Sequence, residues 1–329
     1  MGRLLITHLR RLGVLFLDAL FDHDRFYAFL GWMQRRLGWP RIQTVFLMYP
    51  ETLAYALAFV YPSRLERVKW RPFLAGFFRQ NRRWGLMFAI SATQQDFRDP
   101  QNLPYLQQLV DRMETIRRLV GGRQKTFAGI LPGVLFARRI LRDAPEADLT
   151  VAAVIQAIQQ IEKRESLSPS PPILVLGGRG FIGRRLVKAL QSRGRMVFTV
   201  DRDEAWPVFP GDTRFVVVNV ASNRALLEYM GHLQPGMVVI NEAYPPPPSY
   251  LLQFTGIVLY HIKGIRAWAM PPFPHAYQGG IPCCAAFPDD QMEVLVERLL
   301  DGVKRVSIQK SKKVSTTTTA KFKSENDFS

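Results

Sequence analysis

The sequence predicts an α/β protein in which an N-terminal α/β substrate domain precedes a Rossmann-type, doubly wound parallel sheet. Three observations predict it. Apolar strand-like runs alternate with helical patterns through most of the chain, as in layered α/β folds. The string ILVLGGRGFIGRRLVKAL, residues 173–190, joins an apolar run, a glycine-dense turn and a basic amphipathic helix without a break. Four more β-rich runs follow, RMVFTVD (195–201), TRFVVVNVA (213–221), GMVVINEA (236–243) and GIVLYHI (256–262), and strands separated by helical stretches imply parallel pairing.

Residues 9–38 form an aromatic, amphipathic segment with basic ends. Such a helix covers a core, and the same pattern suits peripheral contact with an anionic membrane. Asp18, Asp22, Asp24 and Arg25 interrupt its apolar run, and Pro50 and Glu51 interrupt TVFLMYPETLAYALAFVYP, so neither an export signal nor a membrane span is expected. Strand-like runs come next at VFLMYP (45–50), GLMFAIS (85–91) and TFAGILPG (126–133), with a surface helix predicted at LPYLQQLVDRMETIRRLV (103–120). These make up the first domain, residues 1–150. A connecting helix and the Ser/Pro linker SLSPSPP fill 151–171, and the Rossmann domain runs from 172 to 303, closing with a helix over DDQMEVLVERLLDGV. Residues 304–329 hold seven basic and two acidic residues and few apolar ones, which predicts a disordered basic tail.

The 329 residues are 47% hydrophobic and 22% charged, a globular composition. A formal net charge of +17 favours acidic partners: an acidic carrier protein, an anionic membrane or nucleic acid. No zinc-finger, recognition-helix or RNA-binding signature supports the last of these. The two cysteines, Cys283 and Cys284, are adjacent, so no disulfide framework is expected and a cytoplasmic setting follows.

The glycine-rich turn points to a nucleotide. Gly178, Gly180 and Gly183 fit G-x-G-x-x-G, which supplies a tight turn, close approach of backbone to pyrophosphate, and close packing of helix on strand. Together with Arg179, Phe181 and Ile182 they form the expected cradle, with the first N–H groups of the helix facing the phosphates. Asp201 ends the next strand, where an acid holds the ribose hydroxyls of NAD; Arg202 beside it suits the 2′-phosphate of NADP. NADP or NAD therefore remains open as the cofactor.

The candidate chemistry lies in GGIPCCAAFPDD, residues 279–290. A cysteine at a helix start has its thiolate favoured by the helix dipole and unpaired N–H groups. Cys284 is then a nucleophile for an acyl thioester, and a nicotinamide can reduce the resulting enzyme-bound thioester to an aldehyde. His261, at the end of a strand, and His275, in PPFPHAY, are the candidate acids or bases. The stiff PPPP run at 245–248 suits the wall of a cleft.

The turn's wording resembles the GGxGFIG of extended short-chain dehydrogenases. Here about 170 residues precede it, and none of the ten tyrosines is followed four positions later by lysine, so a different chemical centre is expected. Residues 172–303, through NVASNRALLEYMGHLQPGMVVINEAYPPPP and IPCCAAF, resemble the C-terminal half of cyanobacterial long-chain fatty acyl-ACP reductases. That resemblance implies a Rossmann domain after an N-terminal α/β domain, a tyrosine-proline loop at Gly236 to Pro245, a catalytic cysteine at Cys284, and acyl carrier protein or another acyl thioester donor as partner. Phe287 stands where the family's segment has glutamate, and Pro288 alters the start of the last helix.

Two other functions fit the same domain order. One is a shikimate- or methylenetetrahydrofolate-type dehydrogenase with direct hydride transfer, in which Lys125 takes part. The other is a non-enzymatic, nucleotide-sensing or partner-binding Rossmann protein.

Overall fold

The computed structural model describes residues 2–167, 171–202, 204–208, 215–273, 277, 279–288 and 292–302. The predicted tail and His275 lie outside the described residues.

The chain opens with two helices, α1 (Gly2–Phe21) and α2 (Asp24–Leu37). His23 caps the second, its Nδ1 accepting from the Phe26 amide at 3.0 Å, and Gly38 stops it in the left-handed conformation. Strand β1 (Ile42–Met48) and the one-turn helix α3 (Leu53–Ala56) precede a hairpin of β2 (Phe73–Gln80) and β3 (Arg83–Ala89). The capping box of Thr93 and Asp96 starts α4 (Gln94–Arg98). Helix α5 (Leu103–Val120) buries Leu106, Leu109, Val110, Met113, Ile116 and Val120, one stripe at helical spacing, and ends at Gly121 (φ 73). Each such side chain taken from water stabilises the fold by roughly 1.5–3 kcal/mol. Strand β4 (Gln124–Phe127) and helices α6 (Leu131–Ala137) and α7 (Pro145–Arg164) follow. TFAGILPG is thus divided, its first residues pairing with β1 and its last opening a helix.

The second half supplies β5 (Ile173–Leu176), α8 (Phe181–Gln191), β6 (Val197–Val200), β7 (Val216–Asn219), α9 (Asn223–Glu228), β8 (Val238–Asn241), α10 (Ser249–Leu252) and β9 (Val258–Arg266). Strands β10 (Trp268–Met270), β11 (Gly280–Ile281) and β12 (Val294–Asp301) complete it. Its sheet has the order β6-β5-β7-β8-β9, all neighbours parallel, as the α/β reading requires. At the β9 edge β11 and β12 add antiparallel, so the sheet is mixed. The closing helix expected over DDQMEVLVERLLDGV is instead β12. Its register against β9 shifts at Leu295/Val296 and at Arg298/Leu300, and those irregularities break the strict alternation by which a strand is recognised.

The first sheet has the order β10-β2-β3-β1-β4, with β3, β1 and β4 parallel and the β2 side antiparallel. Its last strand, β10, comes from the second half of the chain. The core continues across the same boundary. Val154, Ile158 and Ile161 of α7 pack with Ile173, Leu186 and Val216 of the Rossmann half and with Phe46, Phe78 and Met87 of the first sheet. The connecting helix is therefore a layer of the second half's core.

Candidate active site

The glycine turn sits between β5 and α8, as its sequence requires. Gly177 makes the tight bend (φ 85), the role assigned to Gly178 from the pattern, and its N–H donates to the Val200 carbonyl at 2.8 Å. Gly178 lets β6 approach, since a Cβ there would stand 2.5 Å from the Thr199 methyl. A Cβ on Gly183 would overlap the Gly177 carbonyl, which is why α8 can lie so close to the strand. Gly180 is the N-cap and brings no side chain to the first turn. The first-turn N–H groups, Phe181, Ile182 and Gly183 among them, have no carbonyl one turn earlier within the helix, which suits an anion.

Asp201 stands beside this turn. Its carboxylate accepts from the Arg179 N–H at 2.7 Å, and its own N–H donates to Glu204 at 2.7 Å. The Arg179 guanidinium pairs with Glu204, and the Tyr229 hydroxyl donates to the Asp201 carbonyl at 2.7 Å. Arg202 is exposed. An uncapped helix start, glycines that admit no Cβ, and a carboxylate at the end of β6 fit a dinucleotide with its pyrophosphate at the turn.

His261 is not at a strand end. Strand β9 continues to Arg266, and His261 lies opposite Asn241 in the last row of the parallel sheet, 1% exposed. Its Nδ1 is 3.1 Å from both the carbonyl and the side-chain nitrogen of Asn241, whose nitrogen also donates to the Ala243 carbonyl at 2.7 Å. Among the described residues its Nε2 has no partner. Burial lowers its pKa, so the ring is held neutral. The ring lies inside a buried polar row of Asn219, Asn241 and His261. The sequence reading missed both asparagines.

The cysteines occupy a one-turn 3-10 helix, Cys283–Ala285, between β11 and an extended segment. That segment is pinned across the first sheet. Gln80 donates to the Phe287 carbonyl and accepts from the Phe287 amide, both at 3.2 Å, while Gln124 donates to the Ala286 carbonyl at 3.2 Å. With no long helix there is no macrodipole to favour thiolate, and burial pushes Cys284 up to about 12 and Cys283 well above its ordinary value. The expectation of a lowered thiol pKa is overturned. The Gly129 N–H opposes this shift by donating to the Cys284 sulfur.

Several groups converge on this thiol. Tyr49 follows β1, Gly129 follows β4, and Glu242 and Tyr244 follow β8, so both sheets present the C-terminal ends of parallel strands, the usual ligand edge of an open α/β sheet. The Tyr49 hydroxyl accepts from the Ile130 N–H at 2.9 Å, and the Tyr244 and Tyr277 rings are 5.0 Å apart. Tyr49 and Tyr277 both lie within the electrostatic reach of Cys284. Glu146, in the first turn of α7, is 2% exposed, and neither of its carboxyl oxygens has a hydrogen-bond partner of ordinary geometry among the described residues. Desolvation raises its pKa to about 8, opposed by nearby backbone N–H groups; Glu242 is raised to about 7 by desolvation as well. Lys125 pairs with Glu114 at 2.7 Å and lies within electrostatic reach of Glu146.

A cavity of about 350 Å³ opens instead at the opposite edge of the first sheet, lined by Gln34, Gly38, Arg41, Arg83, Gly121 and Arg123. Helices α2 and α5 end there, and the arginines offset the partial negative charge of those C-termini.

Residues 173–249 match the model of the NAD dependent epimerase/dehydratase family. The match spans the glycine turn, Asp201 and the β8 loop, and this family binds NAD(P). No curated protein matches the chain. Among solved structures, a crystal structure of the TT0316 protein from Thermus thermophilus is 13% identical, with 66% of this chain and 82% of that one covered, at a TM-score of 0.23.

Proposed function

We propose that the chain is an NAD(P)H-dependent reductase of activated acyl groups, with Cys284 as the residue that holds the acyl group. One observation supports this above the others. Cys284 stands where the C-terminal ends of both parallel sheets meet, with a backbone N–H on its sulfur and the carboxyl groups of Glu146 and Glu242 in electrostatic reach.

The raised thiol pKa requires a base. With a pKa of about 8, Glu146 is partly ionised at neutral pH and takes the Cys284 proton as sulfur bonds to the acyl carbon. The donor's carbon–sulfur bond then breaks, and Glu146 passes the proton to the departing thiolate. The first-turn N–H groups at Gly180 to Gly183 would hold the pyrophosphate of a nicotinamide nucleotide, which would supply the hydride. Release of the aldehyde breaks the bond to Cys284, whose sulfur lies beside the Gly129 N–H and takes up one proton from solvent, the proton that the net reaction consumes. The net charge of +17 suits an acidic acyl carrier protein as donor.

Cys284→Ser should abolish NADPH oxidation by an acyl thioester while nucleotide binding persists, and intact-mass measurement should find an acyl adduct on the parent chain alone. Full turnover by the serine variant would sink the proposal. The raised thiol pKa also favours a second reading, direct hydride transfer with no covalent stage. That reading expects no adduct on the parent chain.

A further inference from the structure

Helix α1 turns an apolar stripe outward. Leu9, Leu12, Phe16 and Leu20 are 59%, 51%, 58% and 49% exposed. With Gly13 and Ala19, also exposed, they form one uninterrupted apolar stripe on the outer face. The inner face buries Val14 in an apolar cluster with Val60, Val68 and Phe73 and also carries charges. Asp18 is buried against Arg64 and Arg71, and the Arg11 Nε donates to the Leu57 carbonyl at 2.7 Å. A helix that only covered a core would keep its outer face polar.

Helix α2 repeats the pattern. Phe29 and Trp32 stack on each other, 6.0 Å between ring centroids, and stay about half exposed. Arg25 and Arg36, both exposed, share their helical face at positions 25, 29, 32 and 36. Leu37, the last residue of the helix, and Trp39 just beyond it are exposed as well.

We infer that α1 and the aromatic face of α2 dock on an anionic lipid bilayer, lying in its interface. From Leu9 to Leu20 the stripe carries no hydrogen-bonding side chain to set the register of a protein partner, and exposed His8 lies at its margin. Aromatic rings flanked by arginines match the apolar boundary and anionic headgroups of a bilayer together. A second copy would bring another net charge of +17 against the first. Among the described residues no helix is long and apolar enough to cross a membrane, so the contact is peripheral.

Flotation of the full chain with vesicles of equimolar phosphatidylcholine and phosphatidylglycerol tests this. The chain should float with them and not with pure phosphatidylcholine vesicles. Leu12→Glu with Phe16→Glu should lower the bound fraction by on the order of tenfold or more, and Phe29→Ser with Trp32→Ser should lower it independently, which decides the matter should the first pair fail to fold. Undiminished flotation of folded variants would assign binding to basic residues elsewhere, such as 304–329, and overturn the inference. So would a vesicle-independent dimer that these substitutions dissociate.

Discussion

The side-chain amide of Asn219 donates to the side-chain oxygen of Asn241 at 2.8 Å, tying two adjacent parallel strands together in the last row before the ligand edge. Asn219 also donates to the Ser222 carbonyl at 2.8 Å, and Asn241 reaches both Ala243 and His261. Asn241→Leu would strand these partners in a dry environment. It should cost about 2–4 kcal/mol in chemical denaturation, since each buried group left unpaired costs about 1–3 kcal/mol. A cost under about 0.5 kcal/mol would mean that the row contributes nothing.

Gly183→Ala places a methyl group on the Gly177 carbonyl. Helix α8 must then move off the strand, at about 1–3 kcal/mol of overpacking, and the first-turn N–H groups move with it. Thermal unfolding should report the loss of stability, and NADH or NADPH fluorescence titration the loss of binding.

Glu204 holds Arg179 in an ion pair beside Asp201. Glu204→Gln should release that guanidinium toward a 2′-phosphate and shift preference toward NADP. Asp201→Ala should weaken NAD by roughly tenfold, the ~1.4 kcal/mol of one good hydrogen bond to a charged group. Dissociation constants for both nucleotides, measured on both variants, check the pair of expectations.

Glu146 keeps its proton in the folded chain up to about pH 8, against an ordinary value of 4.5. Between these values the native state binds the additional proton, so stability is greatest at the acid end of the window and falls as pH rises, levelling off once the folded group has ionised. The steepest slope is about 1.4 kcal/mol per pH unit. Denaturation midpoints from pH 5 to 9 should follow this decline, to which Glu242 adds up to about pH 7, and Glu146→Gln should make it shallower.

Cys284 should react slowly with iodoacetamide at neutral pH, on the order of a hundredfold below a free thiol. The partly buried sulfur is hindered, and a pKa pushed up to about 12 by desolvation opposes the thiolate. Mass spectrometry of timed samples measures the rate, and free-thiol reactivity would refute the burial argument.

The parts of the fold legible in the sequence are those fixed by local rules. The glycine turn, β5 and α8 fall where the pattern places them because each glycine answers a steric need within a few residues of it. Helix α5 was equally plain from its apolar spacing. Strands β10 and β12 were not, since their partners lie elsewhere in the chain, and neither was β2; bulges blur the β2 and β12 pairings. At the site, Cys284 was visible as chemistry, but its environment was not. Tyr49, Gly129, Glu146 and Glu242 come from four separate segments and meet only because two sheets face each other across the cysteine turn. Asn219 and Asn241 left one signal, a polar residue ending each of two apolar runs.

Strand β10 carries one last consequence. Trp268–Met270 is hydrogen-bonded to Phe77–Arg79, so the earlier half of the chain obtains its outermost strand only after most of the later half has been synthesised. Until then the β2 edge is open to any other strand, and a piece ending near residue 171 would retain that exposed edge permanently. The same stitch limits how the two halves can part. A wide hinge opening would have to peel β10 from β2, so entry to the cysteine cleft falls to its bordering loops.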